Sequence, residues 1–454
     1  MGAGVSAKTR SLQEHHVYVL LILLMAATYL CAPWLLPEDA FGFRQLQNLP
    51  LPVLLACYAG GAMLVFWSGR ANLFGRGRLQ ATAADAQPDQ SVRGRLRWVL
   101  PYLLVAAICV MLFWLLRTNV FNSDTNDLKR KFAQDVPVLG AHVSYDEMLE
   151  LYVHSRFWYY TNRRLGWTVV KSYQVLSVLA GGAFVLILLA FARRLLPSHW
   201  AALCLLVVSG GFMQLFFGDA ENYTITSALI LAYLLSGYVF IQDRTRVAVP
   251  SAILAVAMCF HFLSGWLVPS LLYLYVVAAR RRQYAAMALG VVLSGTIVGG
   301  TLLFFHLNGW PIEDFLYRSH SLGHGLRFRE VLATPSLQHY WEITNLLFLL
   351  FPAILFFVPL LWFRRTDARP VNVFLGLAAL LLLALMYVWN PMLGVYNDWN
   401  LFAAAGIPLS LLFAYNFVRA EGLKYKKQIY LGILWASAVP SYAWIAANHF
   451  LYHQ

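Results

Sequence analysis

The feature that most constrains this chain is the recurrence, from one end to the other, of apolar runs of about 20 residues, the length that crosses a hydrocarbon core as a helix. Only 12% of its 454 residues are charged and 60% are hydrophobic, so the runs are not islands in a soluble protein. They fall near 17 to 36, 51 to 69, 98 to 117, 168 to 192, 198 to 216, 221 to 241, 248 to 262, 264 to 279, 284 to 306, 342 to 363, 370 to 389, 399 to 418 and 428 to 447. The pattern predicts an all-α integral membrane protein: a polytopic bundle of about 13 transmembrane helices, with external amphipathic interfacial helices and no large soluble domain. The seventh and eighth runs are short, with His261-Phe-Leu-Ser-Gly265 at their junction, and also suit a shallow hairpin. Val17 to Leu36 reads as a retained first helix, because no small-residue cleavage site follows it.

Charge orients the bundle. With a cytoplasmic N-terminus, the inside segments hold 22 of the 34 basic residues, including Lys8, Arg10, Arg193, Arg194, Arg280 to Arg282 and Arg419. Of the 21 acids, 15 lie outside. Because the basic count itself favours this arrangement, the N-terminus is expected in the cytoplasm and the C-terminus outside. The net charge of +13 then belongs to the cytoplasmic face, and no nucleic-acid partner is needed to explain it. The 5 cysteines lie inside apolar runs without metal-ligand spacing and read as small core residues. Gly75, Gly77 and Pro88 mark residues 70 to 97 as a cytoplasmic linker, dividing a two-helix N-terminal appendage (1–97) from a transmembrane core (98–454).

On this topology the chemistry-bearing side chains share the outer side, where a cleft is expected. Asp124 and Asp127 follow the third run at i, i+3 spacing, with Lys129 and Arg130 just beyond. Two carboxylates side by side raise the pKa of one, which then suits a general base for a hydroxyl and contributes about 10² to 10⁴ in rate. The same Ser/Asp/Asn/Asp string also suits turns and helix caps. Asp219 and Glu221 sit in a tight junction, Gly218-Asp-Ala-Glu-Asn-Tyr223, where carboxylates near the bilayer are costly; Asp219 equally suits a cap of the sixth span. Arg318, His320, His324, Arg327 and Arg329 make the loop 307 to 341 cationic and fit for phosphate, or for lipid headgroups. Tyr145 to Trp158 reads as an amphipathic helix in the interface. Asp398 suits either a site or a cap of the twelfth span, and His261 suits either a site or a satisfied core position. The aspartate pair offers too few ligands for a metal, so no cofactor is expected; Mg or Mn would need ligands from elsewhere.

From residue 98 to 447 the order of features resembles the GT-C superfamily of membrane glycosyltransferases. The carriers of the resemblance are the helix Trp98 to Arg117, the external loop opening Asn122-Ser-Asp-Thr-Asn-Asp127, the interfacial stretch 145 to 160, the small-residue helix from Gly166 to Gly182 ending in Arg193-Arg194, and the short pair Ala252 to Ala279 before Arg280-Arg-Arg282. A strict Asp-x-Asp is absent, and the first two helices are additional. The resemblance implies an inverting transferase that moves a sugar from a polyprenyl-phosphate carrier to a glycan, lipid or protein acceptor. Asp124 would be the base and Asp127 its competitor. Arg318, Arg327 or Arg329, with Lys129 or Arg130, would neutralise the leaving phosphate; Asp219 or Glu221 would hold sugar or acceptor, with Tyr223, His261 and Asp398 nearby. The expected place is a bacterial inner membrane with a periplasmic site. Two other readings stay open: an O-antigen ligase or polymerase using a polyprenyl-diphosphate donor through the Arg318 to Arg329 loop, and a lipid-linked sugar flippase or transporter.

Overall fold

The structure, a computed structural model, describes residues 2–37, 39–48, 50, 52–53, 56–57, 59–61, 63, 92–121, 125, 147–243, 245–309, 336–363, 369–391, 394–420, 423 and 425–450, with backbone only for 2–12, 48 and 92–99. The helices are α1 (Gly2–Leu35), α2 (Val92–Leu115), α3 (Met148–Leu165), α4 (Val169–Leu195), α5 (Trp200–Val208), α6 (Thr224–Asp243), α7 (Ala248–Phe260), α8 (Val268–Arg280), α9 (Tyr284–Leu307), α10 (Leu337–Leu350), α11 (Phe357–Phe363), α12 (Pro370–Val388), α13 (Trp399–Ala403), α14 (Gly406–Arg419) and α15 (Lys426–Phe450). Short three-ten turns cover Gln45–Asn48, Gly211–Phe216, Phe262–Leu267 and Pro352–Phe356.

Among the described residues 8 helices are long and apolar enough to cross a membrane, or up to 9 if the bent pair Leu337–Leu350 and Pro352–Phe363 is one span. Leu100–Leu115 and Ala248–Phe260 are shorter apolar helices on two further expected crossings. The expected span 51 to 69 falls mostly outside the described residues.

Two expected crossings are broken rather than continuous. The run 198 to 216 is helical only to Val208, then breaks at Ser209-Gly210 into a three-ten turn. A Cβ on Gly211 would lie 2.0 Å from the Leu349 carbonyl oxygen, so the small residues let this backbone press against the end of α10. There the second break occurs: at Phe351, non-helical ahead of Pro352, the span bends by 96°, as expected of a residue disfavoured from the helical region by the proline after it. Irregular backbone is tolerated at such depth because it is buried in protein, and Gly210, Gly211, Leu349 and Leu350 are all buried.

Elsewhere, small residues set the close approaches. Gly181 and Gly182 of α4 face Phe113 and Val110 of α2, where a Cβ would meet side chains at 2.6 to 2.9 Å. Tyr18, Met25 and Tyr29 carry α1 into the main core, and Ile22 of α1 lies over Gly432 of α15. At one end of the bundle Arg194 pairs with Asp243 at 3.4 Å and Arg281 donates to the Phe240 and Ile241 carbonyls, closing the last turn of α6. At the other end, the C-termini of α2, α7, α12 and α15 meet the N-termini of α3, α4, α6 and α13. Helix α3 lies there, ended by Gly166 in the left-handed region (φ +65).

Candidate functional site

The segment leading into Asp124 is fixed on both sides. After α2, Thr118 N–H donates to the Phe217 carbonyl at 2.7 Å, Gln174 of α4 donates to the Thr118 carbonyl at 3.0 Å, and Asn119 N–H donates to the Asn448 carbonyl at 2.9 Å. His449 Nδ1 donates to the Arg117 carbonyl at 2.7 Å, so the end of α15 splints the same stretch. Phe121 packs on a small cluster of Leu151, Tyr173 and Ala220. Thr125, 2% exposed, brings its hydroxyl to 3.3 Å from Glu221 Oε1 and 3.4 Å from the Ala220 carbonyl. Residues 121 and 125 therefore both rest on the 220–221 segment.

That segment is shaped by Gly218. Its φ of +73 lies in the left-handed region, and a Cβ there would sit 2.8 Å from Arg117 Cβ. The turn sends Asp219, Glu221 and Asn222 inward, all buried. Asp219 does not cap α6, which begins at Thr224. It accepts instead from the Asn400 side chain and the Ala220 N–H, while burial pushes its carboxyl up to about 7. The donors oppose that rise, and Oδ2 has no partner among the described residues.

Glu147, ahead of α3, is the hub. Its Oε2 accepts from Asn222 Nδ2 at 2.7 Å and its Oε1 lies 3.5 Å from His261 Nε2. His261 stands in extended conformation between α7 and the next three-ten turn, with Nδ1 accepting from Leu263 N–H at 3.1 Å. An acceptor at Nδ1 leaves the proton on Nε2, facing the carboxylate. Tyr223 stacks on the same ring at 4.9 Å between centroids.

Behind Glu147, on the inward face of α3, Glu150 and His154 are fully buried. Burial, and then the charge of Glu147, push the Glu150 carboxyl well above the usual range. Burial lowers His154 to about 4, against the raising effects of its bond to the Glu150 carbonyl and of Glu147. His154 Nδ1 donates to that carbonyl at 2.9 Å, and its ring stacks on Tyr173 at 4.0 Å. His154 Nδ1 also lies 3.6 Å from Glu150 Oε1, where burial disfavours the charged form of both groups. Tyr173 lies within electrostatic reach of Glu147, Glu150 and Glu221. The result is a cluster of carboxylates, Asp219, Glu221 and Glu150 among them buried, whose oxygens can accept hydrogen bonds from hydroxyls.

Of the residues expected from sequence, the structure gathers Asp219, Glu221, Tyr223 and His261 here. Asp398 is buried at the N-terminus of α13, two residues before Asn400, with no side-chain cap bond to that helix. Asp124, Asp127, Lys129, Arg130, Arg318, His320, His324, Arg327 and Arg329 lie outside the described residues. Among the described residues, no group of three or more His, Cys, Asp or Glu is arranged to hold a metal ion. Sequence reasoning passed over Glu147, Glu150, His154, Thr125, Asn222 and Asn400 as site residues. One signal was present: Glu147, Glu150 and His154 share the helical face of Leu151 and Trp158, an inverted amphipathicity that an ordinary interfacial helix lacks.

No family model matches the chain, and neither does any curated protein. Two solved structures share its fold. One is the crystal structure of ArnT from Cupriavidus metallidurans bound to undecaprenyl phosphate (15% identity, TM-score 0.51, 73% of this chain and 62% of that one). The other is ArnT from Cupriavidus metallidurans in the apo state (16% identity, TM-score 0.51, 74% of this chain and 62% of that one). The chain spans about 62% of the length of those structures. At this identity the likeness is one of fold, an all-α polytopic membrane architecture.

Proposed function

We propose that this chain uses its GT-C-type fold as a membrane glycosyltransferase, moving a sugar from a polyprenyl-phosphate carrier to the hydroxyl of a glycan, lipid or protein acceptor. The observation that carries the reading is that Phe121 and Thr125, which flank Asn122-Ser123-Asp124 in the sequence, are both seated on the buried Ala220–Glu221 segment. A base for an acceptor hydroxyl must come within about 3 Å of the proton it removes. Anchors on both sides favour Asp124 over Asp127, which follows only the second anchor.

In the step proposed, Asp124 takes the acceptor proton as the oxygen attacks the anomeric carbon. The bond from that carbon to the phosphate oxygen breaks, and polyprenyl phosphate leaves with its electron pair. Configuration inverts in this single displacement. Arg318, Arg327 or Arg329, with His320, His324, Lys129 or Arg130, would neutralise the leaving phosphate. Asp219, Glu221 and Asn222 would hold hydroxyls, and the Glu147–His261–Tyr223 group would keep that segment in place. The site is proposed to face the periplasm of a bacterial inner membrane, with the N-terminus in the cytoplasm. Support for a lipid carrier comes from the undecaprenyl phosphate held by one ArnT structure of this fold.

The test is transfer of radiolabelled sugar from synthetic polyprenyl-phosphate donors by the purified protein in vesicles. Asp124→Asn should lower turnover by about 10² to 10⁴, the share of a positioned base, and Asp127→Asn by much less. Wild-type turnover by Asp124→Asn refutes the assignment.

A further inference from the structure

A concavity opens at the same end of the bundle, apart from the acidic cluster. It is a cavity of about 650 Å³, walled by the three-ten turn after α1, the start of α10, the loop before α13 and the last turns of α15. Its size falls within the ~300–1,000 Å³ of small-molecule sites. The lining mixes aromatic faces with short polar groups. Tyr396 is 50% exposed and packs on Phe41 at 4.9 Å between centroids, while Trp444 stands edge-on to Trp399 at 4.8 Å. Asp39, Arg44 and Glu342 supply charges and Gln45, Asn397 and Asn448 amides. Gln45 is 6% exposed, and its Oε1 has no hydrogen-bond partner among the described residues.

We infer that this cavity binds a neutral saccharide chain and is the acceptor subsite of the transferase proposed above. Aromatic faces pack on the C–H faces of pyranose rings, and carboxylate, guanidinium and amide groups bond pairs of ring hydroxyls. Two carboxylates against one guanidinium disfavour a phosphate or an acidic sugar, so the carrier's headgroup is not the occupant. Two of its walls continue into segments that hold the candidate site. Asn397 lines it, while three residues on Asn400 donates to Asp219. Asn448 lines it too, and its carbonyl takes the Asn119 N–H ahead of Asp124. One wall, Asp39 to Gln47, comes from the N-terminal segment that precedes the GT-C-like core. That segment therefore contributes to the choice of acceptor as well as to packing.

This inference rests on the transferase reading for the name of the subsite, but its test needs no turnover. Saturation-transfer NMR would be run on the full-length protein in nanodiscs, without donor, using maltotriose, mannotriose and triacetylchitotriose as probes and glucose 6-phosphate as the anionic comparison. The expected result is saturation of at least one trisaccharide, weakened at least tenfold by Tyr396→Ala and by Glu342→Gln at unchanged thermal midpoint, with no signal from glucose 6-phosphate. Asp124→Asn should bind as the wild type does. Absence of trisaccharide binding up to about 10 mM, a limit that corresponds to an affinity too weak for a subsite, overturns the inference. So does binding indifferent to both substitutions, or a preference for the phosphate. A chain that binds saccharide but transfers none would instead count against the transferase reading alone.

Discussion

Thr125→Val removes one oxygen and keeps the shape, which isolates the anchor beside Asp124. The hydroxyl has two acceptors in range, Glu221 Oε1 at 3.3 Å and the Ala220 carbonyl at 3.4 Å, and one proton to share between them. Hydrogen bonds to charged groups contribute about 1.5 to 3 kcal/mol net, and these lengths put this one at the lower end, about 1.5 kcal/mol. That figure corresponds to about a tenfold loss of the anchored population. Misplacing a reacting group by about 1 Å can cost about 10² in rate. The expected kcat is therefore about 10 to 100 times lower, with a smaller change in KM for the donor and helix content unchanged. Thr125→Ser keeps the hydroxyl and should recover most of the rate. The measurement is steady-state transfer from a polyprenyl-phosphate sugar, beside thermal unfolding of the same preparations. A Thr125→Val protein working at wild-type rate, or a Ser variant as impaired as the Val variant, would refute the anchoring argument.

Gly218→Ala should destabilise the protein by more than the ~1–2 kcal/mol of a left-handed residue, because its Cβ would also fall 2.8 Å from Arg117 Cβ; thermal unfolding in detergent measures it, and an unchanged midpoint would contradict the turn geometry. Asn400→Ala deletes a donor that lowers the pKa of Asp219, so that carboxyl should rise beyond about 7. Because the folded value is raised above the unfolded one, Asp219 contributes stability that is fully present below its ordinary value of 3.8 and is lost as pH rises through about 7. Inactivation rates followed from pH 4 to 9 should show that decline reaching to higher pH in Asn400→Ala than in the wild type; coincident profiles would mean that Asn400 does not bond the ionised form.

The period and composition of the chain were enough to determine its class. Runs of about 20 apolar residues leave helices that satisfy their own backbone as the main way to cross a bilayer, and the described helices fall on the expected runs. The layout of loops and helices carried the expected resemblance to the GT-C superfamily, and the likeness found in solved structures, to ArnT, is one of fold. For the site, sequence picked out Asp219, Glu221, Tyr223 and His261 because polar residues are rare in such a chain and therefore conspicuous. It could not say which way the polar residues of α3 face, since periodicity alone assigns charge to water; packing against α4 and α7 turned Glu150 and His154 inward. Nor could it foresee that the tenth span bends by 96°, or that the ends of α2 and α15, 330 residues apart, clasp each other at Asn119 and His449. Local pattern governs what a segment becomes, because helix formation and membrane insertion depend on neighbouring residues. The site, by contrast, is assembled from short polar junctions whose mutual distances are set only when the helices that carry them pack.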